Sequence, residues 1–203
     1  MLNHLASFGE LEVIVNHDRD GDRFFRDFLS SQPNVQLVSE ETGYTVYRVP
    51  QNPEGLKVPQ FSTPALGIAG IRASTAEDRV SRMTDGDLIT RWDTAGPQDP
   101  TNVVTIDLGA PKQIEGVETQ IAGYLADFPR HLVVEVSEDG LSWSTAWEGE
   151  TALMTYVAAL EIPRTVPLRI PVGNRRAQFV RMRQTGADRT YYWTIAELKV
   201  FGS

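Results

Sequence analysis

From residue 65 to its end, the chain is a succession of short hydrophobic runs bounded by turn residues. In most of these runs apolar and polar residues alternate with the period of two that is typical of strands. The runs are ALGIAGIRAS, NVVTIDLG, IEGVETQIAGY, HLVVEVSEDG, LSWSTAWEG, PLRIPV, AQFVRMRQTG and IAELKVFG. Many short strands at nearly even spacing indicate an antiparallel sandwich or barrel. We interpret the remaining segment, 149–163, either as one helical turn or as a loop that crosses the sandwich.

The first fifty residues have a different pattern. LEVIV (11–15) is typical of a buried strand, and residues 20–33 place apolar side chains at helical spacing. Asp20 or Asp22 is available to cap the start of that helix. Two alternating runs, VQLVSE and YTVYRVP, follow with ETG as a turn between them. The order strand, helix, strand, strand predicts a small α/β unit over residues 1–50.

A proline-rich segment separates the two patterns. Residues 50–64 contain four prolines and one glycine, and they show no hydrophobic period. Such a segment is typical of a surface linker. We therefore expect a linker at 51–61 and a β domain at 62–203, so that the chain as a whole is mainly β.

Composition excludes several classes of function. The chain has no cysteine, which excludes disulfides and thiolate metal sites. A net charge of −8 without any run of Lys or Arg argues against nucleic-acid binding, and Arg181 and Arg183 alternate with apolar residues as on the outer face of a strand. Because no stretch of about 18 apolar residues occurs, this chain itself does not insert into a membrane. The abrupt start suggests a fragment of a longer parent, with an added starting methionine.

Residues that carry catalysis are not found in any recognisable arrangement. The three histidines are far apart, and no nucleophile, phosphate-loop or dinucleotide motif occurs. The polar segment NHDRDGD (16–22) follows a strand, but acidic residues there are better explained as caps of the next helix. We therefore expect that this chain is not an enzyme.

The segment MTDGDLITRW (83–92) has two interpretations. Calcium takes six to eight oxygen ligands, and a tight loop in which Asp85, Asp87 and Thr90 surround Gly86 can supply several. The alternative is a capped Asp-Gly turn, in which the carboxylates accept hydrogen bonds from backbone amides. The loop alone is short of ligands, so a cation would need a further group from elsewhere. Trp92, which follows, is expected in the core.

Two later loops have the residue types that bind sugars. A sugar site needs an aromatic surface for the ring and planar polar groups for the hydroxyls. Residues 123–131 provide Tyr124, Phe128 and Arg130, and residues 189–194 contain three adjacent aromatics. The alternative is structural: Tyr124 and Phe128 pack their loop, and Arg130 pairs with a nearby acid such as Asp127.

Five segments of the second domain, taken in order, resemble a known family. MTDGDLITRW, VVTIDLG, VVEVSEDGLSW, RAQFVRMRQTG and IAELKVFG are similar to the discoidin or coagulation-factor type C domain, over about residues 62–203. The resemblance implies a galactose-binding-like jelly-roll β-sandwich, preceded here by the small α/β (βαββ) unit. It also implies a structural calcium ion that is closed by Glu197 of the last strand, with the carbonyls of Ala196 and Arg82 as further ligands.

The resemblance further implies a sugar site on the loops. The position after the tryptophan of T-x-W is often histidine in galactose-binding modules, and here it is Asp93, which puts galactose specificity in doubt. Arg130 matches the arginine of these modules, and Tyr192 or Trp193 matches their stacking aromatic. Trp193 has the alternative role of a core residue.

The N-terminal unit resembles the extracytoplasmic tail segment of bacterial polytopic membrane glycosyltransferases. Together the two resemblances imply a non-catalytic carbohydrate-binding region outside the cytoplasm, in the periplasm or at the cell surface, tethered to a membrane through its parent. Two alternatives remain. One is an interaction module for proteins, since the net charge of −8 argues against lipids; the other is a structural domain without a sugar site.

Overall fold

The computed structural model describes residue 6 and residues 9–20, 23–51 and 57–203. The chain divides into two compact units, Met1–Lys57 and Val58–Ser203. Within the described residues, no helix is both long enough and apolar enough to cross a bilayer.

The first unit has the predicted order of elements. Its strands are β1 (Leu11–Asn16), β2 (Gln36–Glu41) and β3 (Tyr44–Val49), and its helix is α1 (Phe24–Ser31). The three strands form an antiparallel sheet in the order β1–β3–β2. The small core of this unit contains Val15, Leu29 and Tyr47.

The polar segment after β1 caps the start of α1. The Asp20 carboxylate is buried and accepts hydrogen bonds from the backbone amides of Phe25 (2.8 Å) and Arg26 (3.2 Å). It also accepts one from Arg26 Nε at 2.9 Å. This is the capping role that we expected for Asp20, whereas Asp22 lies outside the described residues. Phe25 and Phe28 are exposed, so only part of the predicted apolar face is buried.

The second unit is an antiparallel β-sandwich, as predicted. Its elements are β4 (Gly70–Ala73), β5 (Trp92–Asp93), β6 (Val103–Gln120), β7 (His131–Ser137), β8 (Ser144–Glu150), α2 (Ala152–Glu161), β9 (Pro167–Gln184), β10 (Thr194–Ile195) and β11 (Glu197–Gly202). The main sheet has the order β11–β6–β9–β7–β8, with β4 also paired to β6. A second sheet contains only β5 and β10.

Two strands are much longer than the hydrophobic runs that predicted them. β6 and β9 have 18 residues each and pair along their length, with irregularities between Asp107 and Lys112 and between Ile114 and Gly116. Each strand therefore joins two runs that looked separate in the sequence. The first half of β6 pairs with β4 and the second half with β11. A bulged strand can bend in this way without ending.

The ambiguous segment 149–163 contains helix α2, which has ten residues and is therefore longer than the single helical turn that was one of the two alternatives. Its Val157 and Ala158 pack with Ile121 and Val58 in a small cluster beside the main core. Since Val58 is buried there, the residues from 58 onward belong to the sandwich unit. The boundary between the two units therefore lies at Val58, within the predicted linker 51–61.

A pair of tryptophans lies in the main core. Trp92 and Trp193 are fully buried, and their rings meet edge to face with centroids 5.4 Å apart. Trp92 Nε1 donates to the Thr75 carbonyl at 3.0 Å, so its polar atom is satisfied. The prediction that Trp92 belongs to the core is confirmed.

Replacing Trp92 by alanine should lower the free energy of unfolding of the sandwich by about 3–5 kcal/mol, because the cavity cannot close completely. Urea unfolding followed by tryptophan fluorescence measures this, since all four tryptophans lie in Val58–Ser203. Leu141→Ala is the control: this side chain is 86% exposed, and its loss should change stability by less than about 0.5 kcal/mol. Equal midpoints for the two variants would contradict this description of the core.

Candidate functional site

Three loops of the sandwich unit are joined at one end of it by a single buried side chain. They comprise residues 93–102, 121–130 and 185–193, and we call the surface they form the rim. Gln98 of the first loop is 2% exposed. Its Nε2 donates to the carbonyls of Phe128 (2.8 Å) and Tyr192 (2.7 Å), one in each of the other loops.

The remaining polar atoms of Gln98 also form hydrogen bonds. Its Oε1 accepts from the Arg130 amide at 3.0 Å and from Gln184 Nε2 at 2.5 Å. Its backbone amide donates to the Tyr191 carbonyl, and its own carbonyl accepts from the Asp188 amide, both at 3.1 Å. The three loops therefore hold fixed positions relative to each other.

Asp127 connects the second and third loops separately. Its Oδ2 accepts from Thr194 Oγ1 at 3.0 Å, and its Oδ1 accepts from the Tyr192 amide at 3.4 Å. Its carbonyl accepts from the Thr194 amide at 3.0 Å. Asp127 therefore positions the aromatic segment and is not the partner of Arg130, which corrects one of the alternatives drawn from the sequence.

Arg130 pairs instead with Asp188, with Nη2 and Nε at 2.7 and 2.8 Å from Oδ2. Its guanidinium lies over the Phe128 ring, 4.1 Å from the centroid, and 5.4 Å from that of Tyr191. The pKa of Asp188 falls to about 2, because the amides of Tyr191 and Thr190 donate to its carboxylate and Arg130 lies beside it. Arg130 is thus held in one orientation at the rim.

A second guanidinium belongs to Arg91. It lies over the Tyr124 ring, 4.0 Å from the centroid, and donates to the Tyr124 hydroxyl. Its Nε is 3.5 Å from the Asp93 carboxylate, which also accepts from Arg79 Nη1 at 3.1 Å and from the Ala95 amide at 2.9 Å. Asp93 is buried; its Oδ1 accepts both of these hydrogen bonds, and its Oδ2 has only the ion-pair contact with Arg91. Its place in the structure is that of a positioning residue, although we expected a direct hydroxyl acceptor.

The aromatic segment 191–193 presents two of its three rings at the surface. Tyr191 is 45% exposed and Tyr192 is 37% exposed, whereas Trp193 is fully buried. The prediction that Trp193 contacts a sugar is wrong, because a ring inside the core has no free face; the core alternative holds. Tyr191, Arg91 and Arg79 were missed in the sequence. The three adjacent aromatics were a signal for Tyr191, but nothing in the spacing distinguished the two arginines.

The loop that follows Met83 brings its acidic residues close to the last strand. Asp85 Oδ2 accepts from Thr90 Oγ1 at 2.6 Å, and its Oδ1 accepts from the Asp87 amide at 2.9 Å. Glu197 of β11 reaches the same loop, where its Oε1 accepts from the Gly86 amide at 2.7 Å. The structure therefore brings together the two ends of the sandwich that the sequence analysis associated.

Burial and the neighbouring negative charges at this loop both disfavour the charged form of Glu197. Burial raises the pKa of Glu197, and the charges of Asp85 and Asp87 raise it further, while the Gly86 amide and Lys199 act in the opposite direction. A carboxylate that is 7% exposed beside two others is the chemistry that a bound cation would stabilise. Carboxylate, hydroxyl and carbonyl oxygens, the ligand types that calcium prefers, are all present at this loop.

The capped-turn interpretation also has support in the contacts. Asp85 and Asp87 each accept a backbone amide two residues further on, as in Asx turns. Among the described residues, no three His, Cys, Asp or Glu side chains are arranged so that they could hold a metal. Arg82 and Ala196 could contribute only their carbonyls. Calcium at this loop therefore stays a prediction.

Sequence comparison identifies the family. The F5/8 type C domain matches residues 70–198, which is more than half of the chain, and the chain belongs to this family. No curated protein sequence matches it significantly.

Solved structures show the same fold. The CBM32 module of AlyQ, in complex with 4,5-unsaturated mannuronic acid, is 20% identical with a TM-score of 0.52, over 69% of this chain and 99% of that one. Chitosan-binding module 1 of a chitosanase/glucanase from Paenibacillus sp. IK-5 is 24% identical with a TM-score of 0.53, over 70% of this chain and 100% of that one. These likenesses, together with the family, establish the β-sandwich of the second unit.

Replacing Asp188 by asparagine tests how the rim is held. Because the folded-state pKa of Asp188 lies below its usual 3.8, the contacts of its carboxylate stabilise the loop above about pH 4 and are lost as the pH falls toward 2. The amides of Thr190 and Tyr191 should therefore titrate with a midpoint of about 2 in NMR spectra.

This titration should disappear in Asp188→Asn and persist in Asp139→Asn. Asp139 is the matched control, since its pKa is also about 2 and it holds a turn elsewhere, through the amides of Ser142 and Leu141. A midpoint near 4 at the Tyr191 amide in the wild type would show that the carboxylate is not held as described.

Proposed function

We propose that the sandwich unit is a non-catalytic carbohydrate-binding module whose site is the rim. One observation carries the proposal: Tyr191 and Tyr192 are exposed on the rim, and the Arg130 guanidinium, which Asp188 holds in place, lies 5.4 Å from the centroid of the Tyr191 ring. Sugars bind through stacking of a ring face on an aromatic surface and through hydrogen bonds from planar polar groups. Both components are present, and buried side chains position them. Two of the structural neighbours are carbohydrate-binding modules, which makes carbohydrate the first ligand class to test.

Each residue of the rim has a distinct role in this proposal. Tyr192 and Tyr191 offer the stacking surface, since both rings are exposed. Arg130 donates hydrogen bonds to sugar hydroxyls, and its pairing with Asp188 reduces the entropy lost on binding. Tyr124 borders the site, where its hydroxyl is already paired with a guanidinium.

Asp93 acts through two other residues. Its buried carboxylate lies between the guanidinium groups of Arg79 and Arg91, at 3.1 and 3.5 Å. Because those groups would repel each other without it, Asp93 fixes the edge of the rim nearest Tyr124. Substitution of Asp93 should therefore weaken binding indirectly.

We also propose a structural calcium ion at the loop of Asp85, Asp87 and Thr90, with Glu197 as the ligand that closes the site. The carbonyls of Arg82 and Ala196 complete the oxygen set that the family resemblance implies. Glu197 is the main support, because a buried carboxylate with a raised pKa and two acidic neighbours is stabilised by a cation. The ion would connect the loop after Met83 to the last strand.

One observation favours a second candidate function, a protein-interaction module. Ile89 and Leu125 are 82% and 54% exposed on loops that the Arg91–Tyr124 contact connects. Exposed apolar side chains that lie together can form a protein contact surface. Ile89→Ser should leave saccharide binding unchanged and abolish binding to a protein partner.

The context of the module is a further part of the proposal. The N-terminal unit resembles tail segments of bacterial polytopic membrane glycosyltransferases, and we propose that the parent is such an enzyme. The module would then lie outside the cytoplasm and hold glycan near a catalytic centre elsewhere in the parent. Membrane-spanning helices in the parent gene upstream of Leu2 would support this; a parent without them would contradict it.

Replacing Tyr192 by alanine should weaken saccharide binding by up to about tenfold, because an aromatic stacking contact contributes roughly 0.5–1.5 kcal/mol. Arg130→Ala should have a similar effect through the loss of hydrogen bonds to hydroxyls. A glycan array identifies the saccharide, and calorimetry on the best ligand measures the loss.

Two matched variants serve as controls for this experiment. Leu141→Ala removes an exposed side chain of the β7–β8 turn and should bind as the wild type does. Trp193→Phe keeps a ring in the core and should lose stability but not specificity. If the array is silent across plant and bacterial glycans, the carbohydrate proposal fails in favour of the protein-interaction function.

Calcium should raise the melting temperature of the sandwich by about 5 °C, because a ligand that binds only the folded state stabilises it. Asp85→Ala should abolish the gain. Asp139→Ala is the matched control, since it also removes the aspartate of an Asp-Gly turn, and it should keep the gain. A melting temperature of the wild type that is the same in calcium and in chelator would refute the cation.

A further inference from the structure

The outer face of the main sheet has a groove that is separate from the rim. It lies between edge strand β4 and the turn that connects β7 to β8, and its volume is about 400 Å3. Its lining includes Gly70, Arg72, Thr105, Asp107, Trp143 and Phe179. None of these residues belongs to the rim loops or to the acidic loop after Met83.

Strand register explains why these side chains share one face. Arg72, Thr105 and Arg181 are directly opposite each other on β4, β6 and β9, so they form one row across the sheet. The next row contains Asp107 and Phe179. Directly opposite residues of antiparallel strands point to the same side. Residues two apart on a strand are separated by about 7 Å, which is close to the length of one pyranose ring.

The row of Asp107 has one position without a side chain. Gly70 is opposite Asp107, and a Cβ at Gly70 would meet no atom within 4 Å. The edge of the groove at β4 is therefore open. On the opposite side, the turn places Gly140 over the Phe179 ring, where an added Cβ would lie 3.4 Å from that ring.

Trp143 forms the other aromatic wall. Its ring has the Arg181 guanidinium 4.0 Å from its centroid, and its Nε1 donates to the Gly140 carbonyl at 3.2 Å. Arg181 is in turn fixed by Glu135, at 2.7 Å. The indole is therefore held in one orientation at the side of the groove, as a preformed aromatic surface requires.

Polar groups of the groove retain hydrogen-bonding capacity. Asp107 Oδ1 accepts from Gln178 Nε2 at 3.0 Å and from the Gly109 amide at 2.7 Å, whereas Oδ2 accepts no hydrogen bond from the described residues. Arg72 is exposed and has no ion pair among the described residues. Asp107 therefore offers a hydrogen-bond acceptor in one row of the groove, and Arg72 offers an unpaired guanidinium in the next. This arrangement matches a sugar ring that has hydroxyls at one end and a negative charge at the other.

We propose that this groove is a second ligand site, which takes one residue of an acidic saccharide, a pyranose that bears a carboxylate. Arg72 binds the carboxylate, Asp107 and Thr105 bind hydroxyls, and Trp143 and Phe179 contact the ring. The proposal does not depend on saccharide binding at the rim. With both sites occupied, the unit would hold a polysaccharide at two points and gain avidity.

The test uses NMR spectra of the full chain with trigalacturonic acid as probe and galactotriose as its neutral counterpart. Trigalacturonic acid at millimolar concentration should shift the amides of Gly70 and Gly140 and the indole of Trp143. Galactotriose should shift them far less, because it has no carboxylate for Arg72. Arg72→Ala should weaken the binding of trigalacturonic acid by about tenfold, because the loss of one charge-assisted hydrogen bond usually has this effect.

Gly70→Leu fills the groove without removing any polar group, and it should abolish these shifts. Gly67→Leu is the matched control: a Cβ at Gly67 also meets nothing within 4 Å, and Gly67 does not line the groove. Tyr192→Ala removes a ring of the rim and should leave the groove shifts unchanged, so failure at one site is distinguishable from failure at the other. The proposal is overturned if the acidic probe shifts no groove resonance, if Gly70→Leu retains the shifts, or if galactotriose shifts them equally.

Discussion

The rim depends on one buried amide. Gln98 donates to carbonyls of two loops and accepts from the amide of Arg130, so that its side chain is engaged at both ends. Each of these partners is a backbone group of an irregular segment, which has no ladder of its own to satisfy it. Loops at the end of a sandwich are otherwise mobile, and ordering them on binding would reduce affinity. Because the Gln98 amide already holds the loops in place in the free protein, little further entropy is lost when a ligand binds.

Acidic side chains have the same effect on the guanidinium groups of the unit. Asp188 holds Arg130, Asp93 holds Arg91, and Glu135 holds Arg181, each in contact with an aromatic ring. A net charge of −8 is therefore compatible with local sites that present guanidinium groups, because the carboxylates beside them orient the cations. Glu197 is the exception, since it is buried beside acidic neighbours, and that difference is why a cation is proposed there.

The sequence predicted what depends on local periodicity and missed what depends on distant partners. Alternation identified the strands, and the five motifs identified the family, because both are properties of short segments. Helix α2 was ambiguous because its apolar residues are distributed around the whole helix and do not form a stripe on one face. Arg130 was assigned to Asp127, three residues away, whereas its partner Asp188 is 58 residues away. Trp193 was given two possible roles, in the sugar site or in the core, because adjacent aromatics do not reveal which of them the core takes.

The measurement that tests this account most directly is amide hydrogen exchange in Gln98→Leu. The variant keeps the volume of the side chain but removes every polar contact of the amide. Exchange at the Arg130 amide should become at least tenfold faster, since an unsatisfied group costs about 1–3 kcal/mol, while exchange in β6 and β9 should be unchanged. Unaltered exchange at Arg130 in a folded variant would contradict the claim that the Gln98 side chain fixes the loop of Arg130 against the other two.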